Sequence, residues 1–190
     1  MSRRGFNVTA GWVFLGAALA GCAAPKVDFS QIQRPERAPE LRAYDVFVGN
    51  WDFKAEMLNA EGQDKEWSGT ASWQWALNER FLHGVLSAKS AQAEFESAGA
   101  WGWDKSRGKY VWWMFNDWGF VQHGPADYDA DEKEWSMEYT GTGLDGTKSF
   151  GCYEVTVVDD DTIDWHMQEW ADAFRCVSKM EMKGQYKRRP

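Results

Sequence analysis

The sequence predicts an all-β protein: an up-and-down antiparallel barrel of about ten strands, with one short helix ahead of the first. Two observations carry this. From Trp51 onward, large apolar residues alternate with polar ones at a period of two, the mark of strands with one buried face. Clusters of turn-forming residues, "NAEG", "DKSRG", "DADEK", "LDGT" and "DDD", interrupt that pattern at short intervals. A succession of short hairpins must close on itself or stack as two sheets to bury its apolar faces, and a barrel of sequential neighbours is the simpler solution.

In chain order, residues 1–21 form a processing signal. Arg3 and Arg4 supply a charged start, "WVFLGAALAG" supplies an apolar run too short to span a bilayer, and Cys22 follows at once. "LAGC", Leu19 to Cys22, resembles the lipobox of bacterial lipoproteins, which implies that Cys22 becomes the acylated first residue of the mature protein. Ala23, in place of aspartate, implies sorting to the outer membrane in a Gram-negative cell, with the domain on the periplasmic face. "SRRGF" also resembles the start of a twin-arginine export signal, with Asn7 and Val8 departing from that pattern, and the general export route stays open beside it. Residues 22–40 are the lipidated cysteine and a tether: three prolines, mixed charge and no period. Eighteen residues at about 3.3 Å each give it a reach of roughly 60 Å.

Residues 41–190 are the barrel domain, and a whole chain that is 44% hydrophobic with 16% aromatic residues has ample material for one core. The net charge of −8, which becomes −10 once Arg3 and Arg4 are removed, argues against a nucleic-acid partner. "APELRAYDVFVG" places Leu41, Tyr44 and Val48 on one helical face. Strands are expected near 51–58, 66–76, 80–88, 94–103, 109–117, 119–128, 133–141, 148–158, 162–170 and 174–186. The clearest is "WSGTASWQW", with Trp67, Gly69, Ala71, Trp73 and Trp75 on one face. "EFESAGAWGW" sets Phe95, Trp101 and Trp103 opposite Glu94 and Glu96, and "EWSMEYTG" aligns Trp135, Met137 and Tyr139.

"GNW" at Gly49–Trp51 resembles the Gly-x-Trp entry of lipocalins. "LNERFLHG", "GAWGWDKSRGKYV" and "SKMEMKGQYKR" resemble stretches of the bacterial family numbered 1579 among domains of unknown function, over about residues 41–189. The resemblance implies a lipocalin-like, calycin-type barrel and brings no catalytic residues. This chain departs from the family by Trp103 where tyrosine is common and by an extra residue before Asp117.

Tryptophans in such number can serve packing alone, or some can line a cup for a small apolar molecule. If the hairpin pairs Trp103 with Lys109, then Trp101, Trp103, Trp113 and Phe115 face inward as ligand-binding wall residues, together with Trp73. Tyr110, Trp112 and Met114 then form an outer stripe, which needs a cover: the helix, a partner subunit as in a homodimer, or the membrane interface.

Of the three histidines, parity turns His166 outward and His83 inward, and His123 sits near a Gly-Pro turn. No ligand-spaced motif marks a metal site, and no cofactor is expected. Cys152 faces outward and Cys176 inward with a strand between them, so both are expected as free thiols despite the oxidising compartment. Asp127, Asp129, Asp131 and Glu138 match a calcium-loop spacing, but Glu132 stands where that loop needs glycine, so the segment is a solvated turn. No catalytic residue emerges. The function expected is a lipid-anchored envelope protein whose barrel binds a small, largely apolar ligand. An interaction module using exposed aromatics on glycan or protein comes second. An enzyme using His83 or His123 with a carboxylate comes third.

Overall fold

Alternation of apolar and polar residues builds ten strands in the computed structural model, which describes residues 33–34, 36–59, 65–142 and 146–190. The signal over 1–21, Cys22 and most of the tether lie outside the described residues. The strands are β1 Gly49–Met57, β2 Glu66–Ala76, β3 Phe81–Lys89, β4 Glu94–Asp104 and β5 Lys109–Asn116. They continue as β6 Val121–Asp129, β7 Glu134–Thr142, β8 Lys148–Asp159, β9 Thr162–Trp170 and β10 Ser178–Arg188. Each pairs antiparallel with its sequence neighbours, and β10 returns to β1, from Trp51 opposite Arg188 to Met57 opposite Met182. The sheet is therefore a closed barrel without an unpaired edge.

The helix expected before β1 is a 3₁₀ helix, Pro39–Phe47. Its inward residues Leu41, Tyr44 and Phe47 recur every third position, which is one 3₁₀ turn, so a single narrow stripe meets the barrel. Tyr44 stacks on Trp135 with ring centroids 4.3 Å apart, and Tyr110 donates its hydroxyl to the Glu40 carbonyl at 2.9 Å. Arg188 holds the helix's far end. Its guanidinium donates to the carbonyls of Val46 and Val48 at 2.8 and 2.6 Å and lies 4.2 Å over the Trp51 ring. Carbonyls at a helix end lack intrahelical partners, and Arg188 supplies two of them. This helix and the tight turns at 77–80, 105–108, 130–133 and 160–161 occupy one end of the barrel. The hairpins β1–β2, β3–β4, β5–β6, β7–β8 and β9–β10 rim the other.

The β4–β5 hairpin corrects the expected register. Asp104 Oδ1 accepts from the Ser106 backbone N–H at 2.9 Å and from its hydroxyl at 2.6 Å, and Gly108 adopts φ +61°. This Asx turn with a left-handed glycine makes a four-residue loop, so Lys109 pairs with Asp104 and Tyr110 with Trp103. A one-residue shift exchanges the faces of a strand. Tyr110, Trp112 and Met114 therefore point inward, Trp112 at 1% exposure, whereas Trp113 and Phe115 point outward at 44% and 53%.

Three smaller expectations also change. His83 lies outward, because Leu82, Gly84 and Ala88 supply the buried parity of β3. His123 lies in mid-strand on β6 and is exposed; Gly124 and Pro125 continue the strand, and a Cβ on Gly124 would meet the Glu138 carbonyl at 1.9 Å. Strand β10 begins at Ser178, so Cys176 belongs to an exposed turn capped by Asp172, whose carboxylate accepts from the backbone N–H groups of Phe174, Cys176 and Val177. Cys152 faces outward as expected, and both thiols are free.

Candidate ligand-binding cavity

The open end of the barrel leads into a cavity of about 340 Å³. The helix provides its floor with Tyr44 and Phe47, and Trp73, Trp101, Trp112, Tyr153, Trp165 and Tyr186 form its walls. Met57, Trp67, Phe95, Trp118, Phe120 and Met182 stand toward the mouth. None of the described lining residues carries a charge.

Glycines make the aromatic wall fit. A Cβ on Gly84 would lie 2.2 Å from the Trp73 indole and 2.9 Å from Trp101. Only a residue without a side chain lets both rings cross β3 this closely. Gly151 does the same for Tyr139, whose ring would meet a Cβ at 2.2 Å. Burial raises the phenol pKa values of Tyr44, Tyr139, Tyr153 and Tyr186 above the ordinary tyrosine range, so these groups are neutral acids at any physiological pH.

Of the wall residues expected from sequence, Trp73 and Trp101 line the cavity. Trp103 faces inward at the helix end, edge-on to Tyr110 at 4.8 Å, and is not among the described lining residues. Trp113 belongs to the outer face, and Phe115 reaches the cavity only at its rim. Trp112 takes the place assigned to Trp113. On the outside, Val85, Ala98, Phe115 and Val121 form one row across four strands, and His83, Ala100, Trp113 and His123 form the next. His83 and His123 are thus three strands apart, roughly 14 Å at ordinary strand spacing.

A cluster of buried polar groups stands behind the cavity wall and reaches it at Gln122. Glu169 Oε2 accepts from the Tyr139 hydroxyl at 3.0 Å and from Gln122 Nε2 at 3.4 Å, and Gln122 also lines the cavity. Period-two counting from Ile163, Trp165 and Met167 does reach Glu169, but charge argues against burial and masks the signal. A second, shallower groove crosses the outer faces of β6–β9, with Asp127, Glu134, Glu154, Asp164 and His166 along it. There His166 Nε2 lies 3.0 Å from Glu181 Oε1, and that hydrogen bond is the largest cause of the lowered Glu181 pKa. Among the described residues, no three His, Cys, Asp or Glu side chains are grouped as metal ligands.

Residues 38–188 match the profile of a protein family of unknown function, DUF1579. The chain belongs to this family. No curated protein matches it. The fold is similar to the crystal structure of Rv2717c from M. tuberculosis, at 15% identity and a TM-score of 0.56, over 82% of this chain and all of that one. A de novo designed fluorescence-activating β-barrel is 14% identical with a TM-score of 0.42, over 77% of this chain and 97% of the design. A redesigned barrel, mFAP0, bound to DFHBI, is 7% identical with a TM-score of 0.43, over 76% of this chain and all of the design. At these identities the likeness concerns the fold, and this DUF1579 member's cavity stands on its own residues.

Proposed function

We propose that this DUF1579 protein binds a small, largely apolar molecule inside its barrel, and that Cys22 anchors it by a lipid to the bacterial cell envelope. The observation that carries the binding reading is the open cavity of about 340 Å³ with an uncharged, aromatic-rich wall. Ligand cavities begin near 300 Å³ and are lined mainly by apolar and aromatic groups. Gly84 supports this further, since it admits two indoles to a wall that leaves the centre empty. The anchor rests on the lipobox resemblance of "LAGC" and on the charged and apolar segments before it. Outer-membrane sorting rests on Ala23.

Native mass spectrometry of the protein exported from a bacterial host tests the cup. A reproducible added mass that leaves on denaturation is expected. A bare mass, together with no uptake of small aromatic dyes, would refute it. Globomycin-sensitive processing and incorporation of labelled palmitate test the anchor, and neither should survive Cys22→Ser.

One observation favours a second reading. Trp113, Phe115, Val121 and Val85 expose apolar surface side by side on β3–β6. Such a patch suits a glycan or protein partner in the envelope. Loss of envelope cross-linking on Trp113→Ser with unchanged dye uptake would favour it.

A further inference from the structure

Among the described residues, Trp101 is the one tryptophan of the cavity wall in contact with no other aromatic ring. Trp67, Trp73, Trp112, Trp118 and Trp165 line the same cavity, and each packs against at least one further ring. A pair of glycines makes the place for Trp101. Gly84 on β3 and Gly99 on β4 lie directly opposite each other. A Cβ on Gly99 would stand 2.8 Å from Trp101 Cη2, and one on Gly84 would stand 2.9 Å from its Cζ3. Those atoms form the far edge of the indole, so the ring runs back along β4 and over the glycine pair, against the wall and not across the barrel. Trp101 is nonetheless only half-buried. At an inward position of a closed barrel, its accessible surface opens into the cavity that it lines.

We infer that Trp101 is a stacking platform and that the occupant is a neutral, planar aromatic molecule laid against its indole. This rests on the apolar-cup reading and narrows it. An aromatic pair gains about two- to tenfold in affinity beyond the area it buries, whereas a saturated molecule gains the area alone. Met114, opposite Gly99 on β5, also lines the cavity and sets a thioether side chain beside the platform, and sulfur too favours an aromatic ring. A charged aromatic would give up its hydration to a wall in which no described residue offers a counter-charge.

Naphthalene and decalin share a carbon skeleton and differ in flatness and aromaticity. Their uptake from vapour by the full-length protein, measured by headspace gas chromatography, decides the point. Apolar area alone favours decalin; binding of naphthalene as tightly as decalin or more tightly is expected. Trp101→Leu should lower the ratio of naphthalene to decalin affinity by about fivefold, and Trp101→Phe, which restores a ring, should keep most of it. If neither variant folds, the native protein still answers, because nuclear Overhauser contacts from bound naphthalene to the Trp101 indole are expected. Tighter binding of decalin, a ratio that Trp101→Leu leaves unchanged, or contacts to other rings only would overturn the inference and leave the cup standing. Uptake of neither compound would overturn both.

Discussion

Replacing Trp112 and Trp113 by alanine, one at a time, tests the register that places the cavity wall. The two are chemically identical neighbours, so only their faces distinguish them. Trp112 is 1% exposed and meets Tyr139 and Tyr153 edge-on, each at 5.7 Å. A buried tryptophan removed in this way costs about 3–5 kcal/mol. Its Nε1, which has no hydrogen-bond partner among the described residues, favours the low end, about 3 kcal/mol, because the deletion also removes that donor. Trp113 is 44% exposed, so about half of the area term is at stake, and allowing for a compact denatured chain leaves about 1–2 kcal/mol. Urea unfolding followed by circular dichroism, with equal slopes in both variants, measures the difference. Trp112→Ala should lower Tm by roughly 6–12 °C in a chain of this size. If Trp113→Ala costs as much as Trp112→Ala or more, the hairpin loop is one residue different and the described wall is wrong.

Other outcomes follow from the same geometry. Gly84→Ala should destabilise by about 1–3 kcal/mol or more, since its Cβ would overlap the Trp73 and Trp101 rings, and it should abolish dye uptake by displacing them into the cavity. Arg188→Ala removes two carbonyl partners of the helix end and the stacking on Trp51. A loss of about 2 kcal/mol is expected, with faster amide exchange over residues 39–47 than over the strands. The tyrosines set an alkaline limit. A phenol whose pKa is raised by folding adds stability that is fully present below pH 10 and lost as pH rises through the folded value. Tyr44, Tyr139, Tyr153 and Tyr186 should each remove about 1.4 kcal/mol per pH unit above pH 10, and their tyrosinate absorbance should appear only with unfolding. Finally, iodoacetamide should label Cys176 at once and Cys152 slowly, because burial raises the Cys152 thiol pKa, and both should react without reductant.

Much of the fold was legible because a strand's two faces are written directly into alternate residues. Trp67, Ala71 and Trp73 were assigned to the core from their spacing, and they lie there. The 3₁₀ helix was partly legible, since Leu41 and Tyr44 suit either helix type and only the addition of Phe47 marks a three-residue turn. The run "KYVWWMF" was not legible in the same way: both parities are rich in large apolar residues, so hydrophobicity cannot choose a face. The choice is made outside the strand, by Asp104 and Gly108, whose turn counts one residue more than the sequence reading assumed.

The sequence by itself determined what local chemistry can encode: ten strands, their turns, and the inward tryptophans of β2 and β4. Tertiary structure decided whatever depends on distant groups meeting. It exchanged Trp113 for Trp112 in the wall, brought Gln122, Tyr139 and Glu169 together from three strands, and left an open space between rings that could have filled it. The physical reason is that alternation specifies which side of a strand is apolar, while the volume enclosed by ten strands depends on their closure and on where glycine lets a ring lie flat.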